Sequence, residues 1–215
     1  MSRAARVTDV VQRAIDIVVA AAVLVVLSPL LLVVAAVVAA GLGRPVLFRQ
    51  PRPGRYGRPF TLVKFRTMRD VDERRGLVTD GQRLTGLGRV LRATSLDELP
   101  TMWNVLRGEM SLVGPRPLLM HYLDLYTPEQ ARRHLVRPGV TGLAQVRGRN
   151  ALSWADRLAL DVWYVDHRSL ALNMRILART GLILVRREGI AAPGEPTMPE
   201  FTGTPQPGGT EPDSA

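Results

Sequence analysis

Ile17–Gly43 reads IVVAAAVLVVLSPLLLVVAAVVAAGLG and carries no charged side chain. A helix needs ~20 apolar residues to cross the hydrocarbon core of a bilayer, so this run is long enough to enter a membrane. It is too long for the apolar part of a cleaved leader, although Ala39-Ala40 is small enough for cleavage before Gly41. Ser28-Pro29 interrupts it near the middle. Proline removes one backbone hydrogen bond and clashes with the carbonyl four residues back, which bends a helix. The Ser28 hydroxyl is a local partner for a backbone group freed at such a break.

Both flanks are basic: Arg3, Arg6 and Arg13 precede the run, and Arg44, Arg49, Arg52, Arg55 and Arg58 follow it. The positive-inside bias holds both on the cytoplasmic side. A straight span would carry one of them across. A helix that enters, breaks at Ser28-Pro29 and returns satisfies both flanks, and that re-entrant reading is preferred over a span.

After the run, Val46–Phe48 and Phe60–Phe65 are short β-like stretches around PRPGRYGRP, residues 51–59. Proline and glycine at that density predict a hairpin with a long basic tip. Arg44 to Arg69 holds eight positive charges and no acid. Beside a membrane segment this predicts contact with anionic head groups, about 1 kcal/mol per charge; the alternative is a solvated loop. Lys64 is the single lysine in a chain with 29 basic and 19 acidic residues, a net charge of +10. A compact ammonium among arginines singles out Lys64 for a site that a planar fork does not suit. Lys64 and Arg66 alternate around Phe65 and so leave one sheet face, toward a phosphate.

Ala93–Pro117, ATSLDELPTMWNVLRGEMSLVGPRP, concentrates the chemistry. Asp97 and Glu98 are adjacent, with Arg92, Arg107 and Arg116 around them. Neighbouring acids among guanidinium groups suit a phosphate and metal site: one carboxylate as nucleophile or base, another holding a cation. The plainer reading is a capping box, Ser95 and Glu98 closing a helix start with Asp97 near its positive end. The two are compatible, because helix N-termini also bind anions. Leu99, Met102, Trp103 and Leu106 predict one helical face, in the core or against the membrane. Gly114-Pro115-Arg116-Pro117 is a rigid turn that holds Arg116 stiffly, as a phosphate clamp requires.

Residues 70–91 read as a loop and short helix with no site. Thr127-Pro128-Glu129-Gln130 is a helix start and Arg137–Gly142 a turn. Gly148 between Arg147 and Arg149 permits close backbone approach to a ligand. Ser153 caps a helix toward Asp166. Leu170–Arg187 is amphipathic, with Leu170, Met174, Leu177, Gly181 and Leu184 on one stripe and Arg175, Arg179 and Arg186 on another; it suits the membrane interface or the core equally. His121, His134 and His167 lack metal-ligand spacing, and there is no cysteine for a disulfide or thiolate site. Beyond Ile190 the proline, glycine and threonine content predicts a disordered tail.

Together these readings predict an α+β, mainly helical protein. Residues 1–43 form a re-entrant membrane helix broken at Ser28-Pro29, 44–190 a cytosolic domain with a small β-hairpin and amphipathic interfacial helices, which the resemblance given next implies is catalytic, and 191–215 a disordered tail.

In order, the Ser28-Pro29 break, Lys64–Met68, Ser95–Leu99, Asn104–Ser111, Gly114–Pro117 and Arg137–Gly142 leading to Gly148-Arg149-Asn150 resemble the bacterial sugar transferase family, the small monotopic polyprenyl-phosphate phosphoglycosyl transferases. The resemblance covers about residues 10–190. It implies transfer of sugar-1-phosphate from a UDP-sugar to undecaprenyl phosphate, with release of UMP, at the cytoplasmic face of the bacterial inner membrane. It implies Asp97 as nucleophile and Glu98, with Asp97, as Mg²⁺ ligand. Lys64, Arg66, Arg92, Arg116 and Arg149 are the implied substrate-binding residues, with Asp161 a weaker addition. The implied partners are inner-leaflet lipids and the two substrates, with no nucleic acid; an oligomer is compatible. The reading from a different class is a membrane-anchored basic module that binds nucleic acid or anionic lipid without catalysis.

Overall fold

The computed structural model describes residues 3–148, 152–186 and 200–203. Arg149 lies outside the described residues, as does most of the tail. Helices dominate, with two small sheets. α1 (Arg3–Val26) and α2 (Ser28–Leu42) meet at Leu27. Among the described residues no single helix is long and apolar enough to cross a membrane; α1 from Thr8 and α2 reach that character only as a pair, bent by 63°. The bend has a local cause. Pro29 cannot donate to the carbonyl of Val25, and the Ser28 hydroxyl donates to it instead at 2.7 Å.

Both limbs of the pair rest on one body. Ile15, Ala20, Val23 and Leu24 of α1 join the main core around Val105, Met110 and Leu112. Val34 and Val38 of α2 pack on Phe65 and Leu91. Val25, Val26, Leu32 and Val33, around the bend, are exposed.

The charged flank of α1 is also part of the scaffold. Arg13 donates to the Val105 and Leu106 carbonyls at 2.5 and 2.6 Å, capping the C-terminus of α4 (Met102–Arg107). The Asp16 carboxylate accepts from Leu112 N at 3.0 Å, and Gln12 bridges to Asn173. Asn173 in turn accepts from Tyr164. These buried polar groups are satisfied by one another, which ties α1 to the strand and helices behind it.

The hairpin forms from longer strands than expected. β1 (Leu47–Pro53) pairs antiparallel with β2 (Pro59–Phe65), so Pro51 and Pro53 lie within a strand and the tip shortens to residues 54–58. The sheet has only these two strands, and edge strands tolerate proline. Arg55 of the tip donates to the Leu135 carbonyl at 3.1 Å.

Between the hairpin and the acidic pair come short turns and α3 (Gly86–Ala93). Beyond α4, β3 (Ser111–Val113) pairs in parallel with β4 (Gly139–Thr141). Part of the stretch expected to be only a turn is therefore a strand. Its cause is glycine: a Cβ on Gly139 would sit 2.1 Å from Gly114 N, and one on Gly142 2.2 Å from Gly114 O. α5 (Leu143–Arg147), α6 (Trp154–His167) and α7 (Leu170–Arg186) complete the order. The Thr127 and Ser153 caps form as read. On α7 the inward stripe is Leu172, Asn173, Ile176, Leu177 and Ile183, while Met174, Gly181 and Leu184 face out. Only Leu177 of the expected stripe is therefore on the core side.

Among the described residues of the 191–215 segment, Phe201 is in the core, 2% exposed and seated among Leu118, Tyr122 and Leu158.

The glycine contacts carry a prediction. Gly139→Ala should destabilise the fold by about 3 kcal/mol or more, because backbone must move to admit the methyl; thermal unfolding of the purified variant checks it.

Candidate active site

The acidic pair lies on a 3-10 turn, Leu96–Thr101, that leads into α4. Ser95 adopts a left-handed conformation (φ 56°) and its side chain makes no cap bond, so the capping box does not form. The reason is competition for Glu98. Its Oε1 accepts from Lys64 Nζ at 2.6 Å and from Arg116 Nη2 at 2.8 Å. Two bonds from cations, in which both donor and acceptor are charged, outweigh one from a backbone N–H of its own turn.

The turn is brought to Lys64 by polar ties to β2. Asn104 is buried; its amide donates to Thr61 O at 2.7 Å and accepts from Val63 N at 3.1 Å. The Thr101 hydroxyl donates to Val63 O at 3.0 Å. Arg116 is held from behind. Arg133 Nη2 donates to the Arg116 carbonyl at 2.7 Å and to Asp161 Oδ2 at 2.7 Å. Arg133 and Asp161 are both buried.

The electrostatics divide the two acids. Burial works against the Glu98 carboxylate, but Arg116 and Lys64 together hold it well below the usual carboxylate range. Asp97 is 8% exposed, and among the described residues no hydrogen bond or ion pair ties its carboxylate down. Burial, then the neighbouring Glu98 charge, push it from 3.8 up to about 6, against the pull of Lys64, Arg92 and Arg116. Arg116 is raised by Glu98, and Lys64 is lowered by burial despite Glu98.

Lys64, Arg66, Arg92, Asp97, Glu98 and Arg116 all line one open cleft of about 1970 Å³. Arg66 and Lys64 do not converge on one point. Arg66 is committed to Met68 O at 3.0 Å and to Asp70 at 2.9 Å. Arg92 leans on Thr67 Oγ1 at 3.2 Å. Asp161 lines the cleft too, but as the partner of Arg133.

Sequence reasoning gave Arg52 only a lipid role and gave Arg133 and residues 70–91 none. Arg52 lines the cleft, its Nε buried without a partner, and burial followed by Arg116 lowers its pKa to about 10. Asp80 and Arg83 also reach the cleft. The Arg-Pro-Gly spacing of 52–54 was a signal for Arg52; nothing local marked Arg133. His121 and His167 are exposed, whereas His134 is buried and held neutral, its pKa lowered to about 4 by burial and by Arg133.

Among the described residues no group of three or more histidine or acidic side chains stands ready to hold a metal. Mg²⁺, however, is bound by one or two carboxylates completed by water and substrate phosphates. Asp97 and the second oxygen of Glu98 fit that demand.

Comparison with known proteins agrees with this architecture. Residues 7–187 match the model of the bacterial sugar transferase family. The "Uncharacterized sugar transferase EpsL" of Bacillus subtilis is 54% identical over 170 residues, covering 79% of this chain and 84% of that protein. The undecaprenyl-phosphate galactose phosphotransferase of Salmonella typhimurium is 37% identical over 165 residues, 68% of this chain and 35% of that one. The UDP-glucose:undecaprenyl-phosphate glucose-1-phosphate transferase of Caulobacter vibrioides is 46% identical over 147 residues, 63% of this chain and 55% of that one. The chain thus spans about a third and about half of the latter two proteins. It belongs to the bacterial sugar transferase family and is a transferase. That membership sets aside the reading of a basic module without chemistry.

The division of the acids predicts a stability signature. The folded state binds a proton at Asp97 more tightly than the unfolded chain does, so its charge destabilises the fold above about pH 6 and has no effect below pH 3.8. Asp97→Asn should therefore be more stable than wild type by about 1–3 kcal/mol at pH 7.5, with the gain fading as pH falls through that window. Thermal unfolding at a series of pH values in detergent measures it.

Proposed function

We propose that this phosphoglycosyl transferase moves sugar-1-phosphate from a UDP-sugar to undecaprenyl phosphate at the cytoplasmic face of the bacterial inner membrane. The observation that carries the reading is the contrast within the pair: Glu98 clamped by two cations, Asp97 beside it buried and untied, in a cleft lined by arginines. The relatives named for undecaprenyl-phosphate sugar transfer support the substrates.

An Asp97 carboxylate oxygen attacks the β-phosphorus of the donor. A P–O bond forms to Asp97 and the bond to the bridging oxygen breaks, so UMP leaves with that oxygen. The phosphate of undecaprenyl phosphate then attacks the same phosphorus and releases the Asp97 carboxylate. The raised pKa of Asp97 reflects a desolvated carboxylate that is more basic than one in water, and still ionised at neutral pH. Lys64, Arg92 and Arg116 offset the charge that gathers on the phosphoryl oxygens. Glu98 and Asp97 would hold Mg²⁺, which when bound neutralises diphosphate charge. Glu98 also orients Lys64 and Arg116. The covalent step separates a soluble donor from a membrane-bound acceptor in time.

The bent α1–α2 pair enters the inner leaflet and returns. The packing of both limbs on one cytosolic body supports this over a straight span. The outward Met174, Leu182 and Leu184 among the arginines of α7 suit the interface.

Two measurements test the proposal. With a UDP-sugar alone, mass spectrometry should find a sugar-phosphate adduct on Asp97, and Asp97→Asn should lose at least about 10³-fold in turnover while staying folded. Turnover with no adduct, or an active variant, counts against the covalent route. The chain has no cysteine, so single cysteines at Ser2 and near Gly43, at the exposed Arg44, report topology cleanly. Both should label from the cytoplasmic side; external labelling of either rejects the re-entrant reading.

A further inference from the structure

The family match ends at residue 187, yet Glu200–Gly203 is seated on the catalytic body. Phe201 enters an aromatic socket: its ring centroid lies 5.5 Å from Tyr122, 5.7 Å from Tyr126 and 5.3 Å from Trp154. The Tyr126 ring is stacked on it, and the other two approach edge-on or tilted. The Phe201 N–H donates to the Tyr122 hydroxyl at 3.0 Å. Glu200 pairs with His121 at 2.8 Å and lines the cleft.

The socket is the outer layer of the wall that holds Arg116. The Tyr126 hydroxyl accepts from Arg133 Nη1 at 3.4 Å, and the Arg133 guanidinium lies 5.7 Å over the Tyr126 ring. Arg133, braced by Asp161, holds the Arg116 carbonyl, and Arg116 reaches Glu98. Phe201 therefore stands one packing layer behind the residue that fixes the backbone of the Arg116 clamp.

We propose that Glu200–Gly203 is a clasp, and that Phe201 is a positioning residue for donor binding: seated in the Tyr122–Tyr126–Trp154 socket, it locks Tyr126 and Arg133 and so sets Arg116 against the donor's diphosphate. Phe201 does not line the cleft. The clasp and the wall are geometric; the role toward the donor rests on the reading under Proposed function. Removing the ring leaves a cavity beside Tyr126, which then shifts and loosens Arg133. The cost should fall on binding of the anionic donor, because Arg116 is the group displaced, and not on the lipid acceptor.

The test uses the full chain in nanodiscs, with two readouts. The first is hydrogen–deuterium exchange at the Phe201 amide without any substrate. Strong protection is expected in wild type and loss of protection in Phe201→Ala; wild-type exchange at the rate of a free peptide overturns the clasp. The second is steady-state kinetics against the UDP-sugar that wild type uses. Phe201→Ala should raise the donor KM at least about five-fold, with the undecaprenyl phosphate KM within about two-fold, and Phe201→Leu should restore most of the donor KM. An unchanged donor KM, or a fall in kcat alone that tracks loss of folded protein, overturns the positioning role. If wild type releases no UMP from any UDP-sugar, the donor reading under Proposed function fails, and the exchange readout still decides the clasp.

Discussion

One carboxylate oxygen, Oε1 of Glu98, is shared by Lys64 at 2.6 Å and Arg116 at 2.8 Å, and the catalytic half of the molecule is arranged around that sharing. The three groups come from β2, from the 3-10 turn and from the Gly114–Pro117 loop. Each of the three is partly sheltered from solvent and satisfied by the others, so the contact helps set the spacing of its three parent segments. It also sets the character of its neighbour. Asp97 is buried beside a carboxylate that remains ionised; burial first and that charge second hold its proton more tightly, against the pull of Lys64, Arg92 and Arg116.

The supports of this triangle are mostly backbone. Asn104 satisfies two backbone groups of β2, and Thr101 a third. Arg13 closes the far end of α4 from the first helix of the chain. Gly114, Gly139 and Gly142 let β3, β4 and the following loop approach to distances that no side chain permits. The bent pair therefore does two jobs. Its exposed apolar turn is what the re-entrant proposal places in the leaflet. Its polar first half, through Gln12, Arg13 and Asp16, is an internal member of the catalytic body. Under the proposed reaction this rigid link between bend and cleft is what would keep a lipid phosphate and Asp97 in register.

Legibility followed the range of the interaction. The Ser28-Pro29 break, the caps at Thr127 and Ser153, and the hairpin were readable because their causes lie within a few residues. The Ser95–Glu98 capping box was equally local and equally well formed as a pattern, but two distant cations bid for the same glutamate. On α7 the 3.6-residue period marked an amphipathic helix correctly but left open which apolar stripe meets the core, because both faces carry leucine and only the neighbours decide which is covered. Arg133 looked like one more arginine in an arginine-rich chain; its burial against Asp161 depends on a partner 28 positions away.

By itself the amino-acid sequence determined the mainly helical class, the broken apolar run, the acidic pair and the set of basic residues from which a phosphate site could be drawn, since periodicity, proline chemistry and charge are properties of neighbours along the chain. Tertiary structure alone decided that Glu98 and not Asp97 takes Lys64 and Arg116, that β4 exists, and that Phe201 belongs to the core. Those outcomes are settled by desolvation and close packing between segments far apart in the chain, whose energies no local pattern contains.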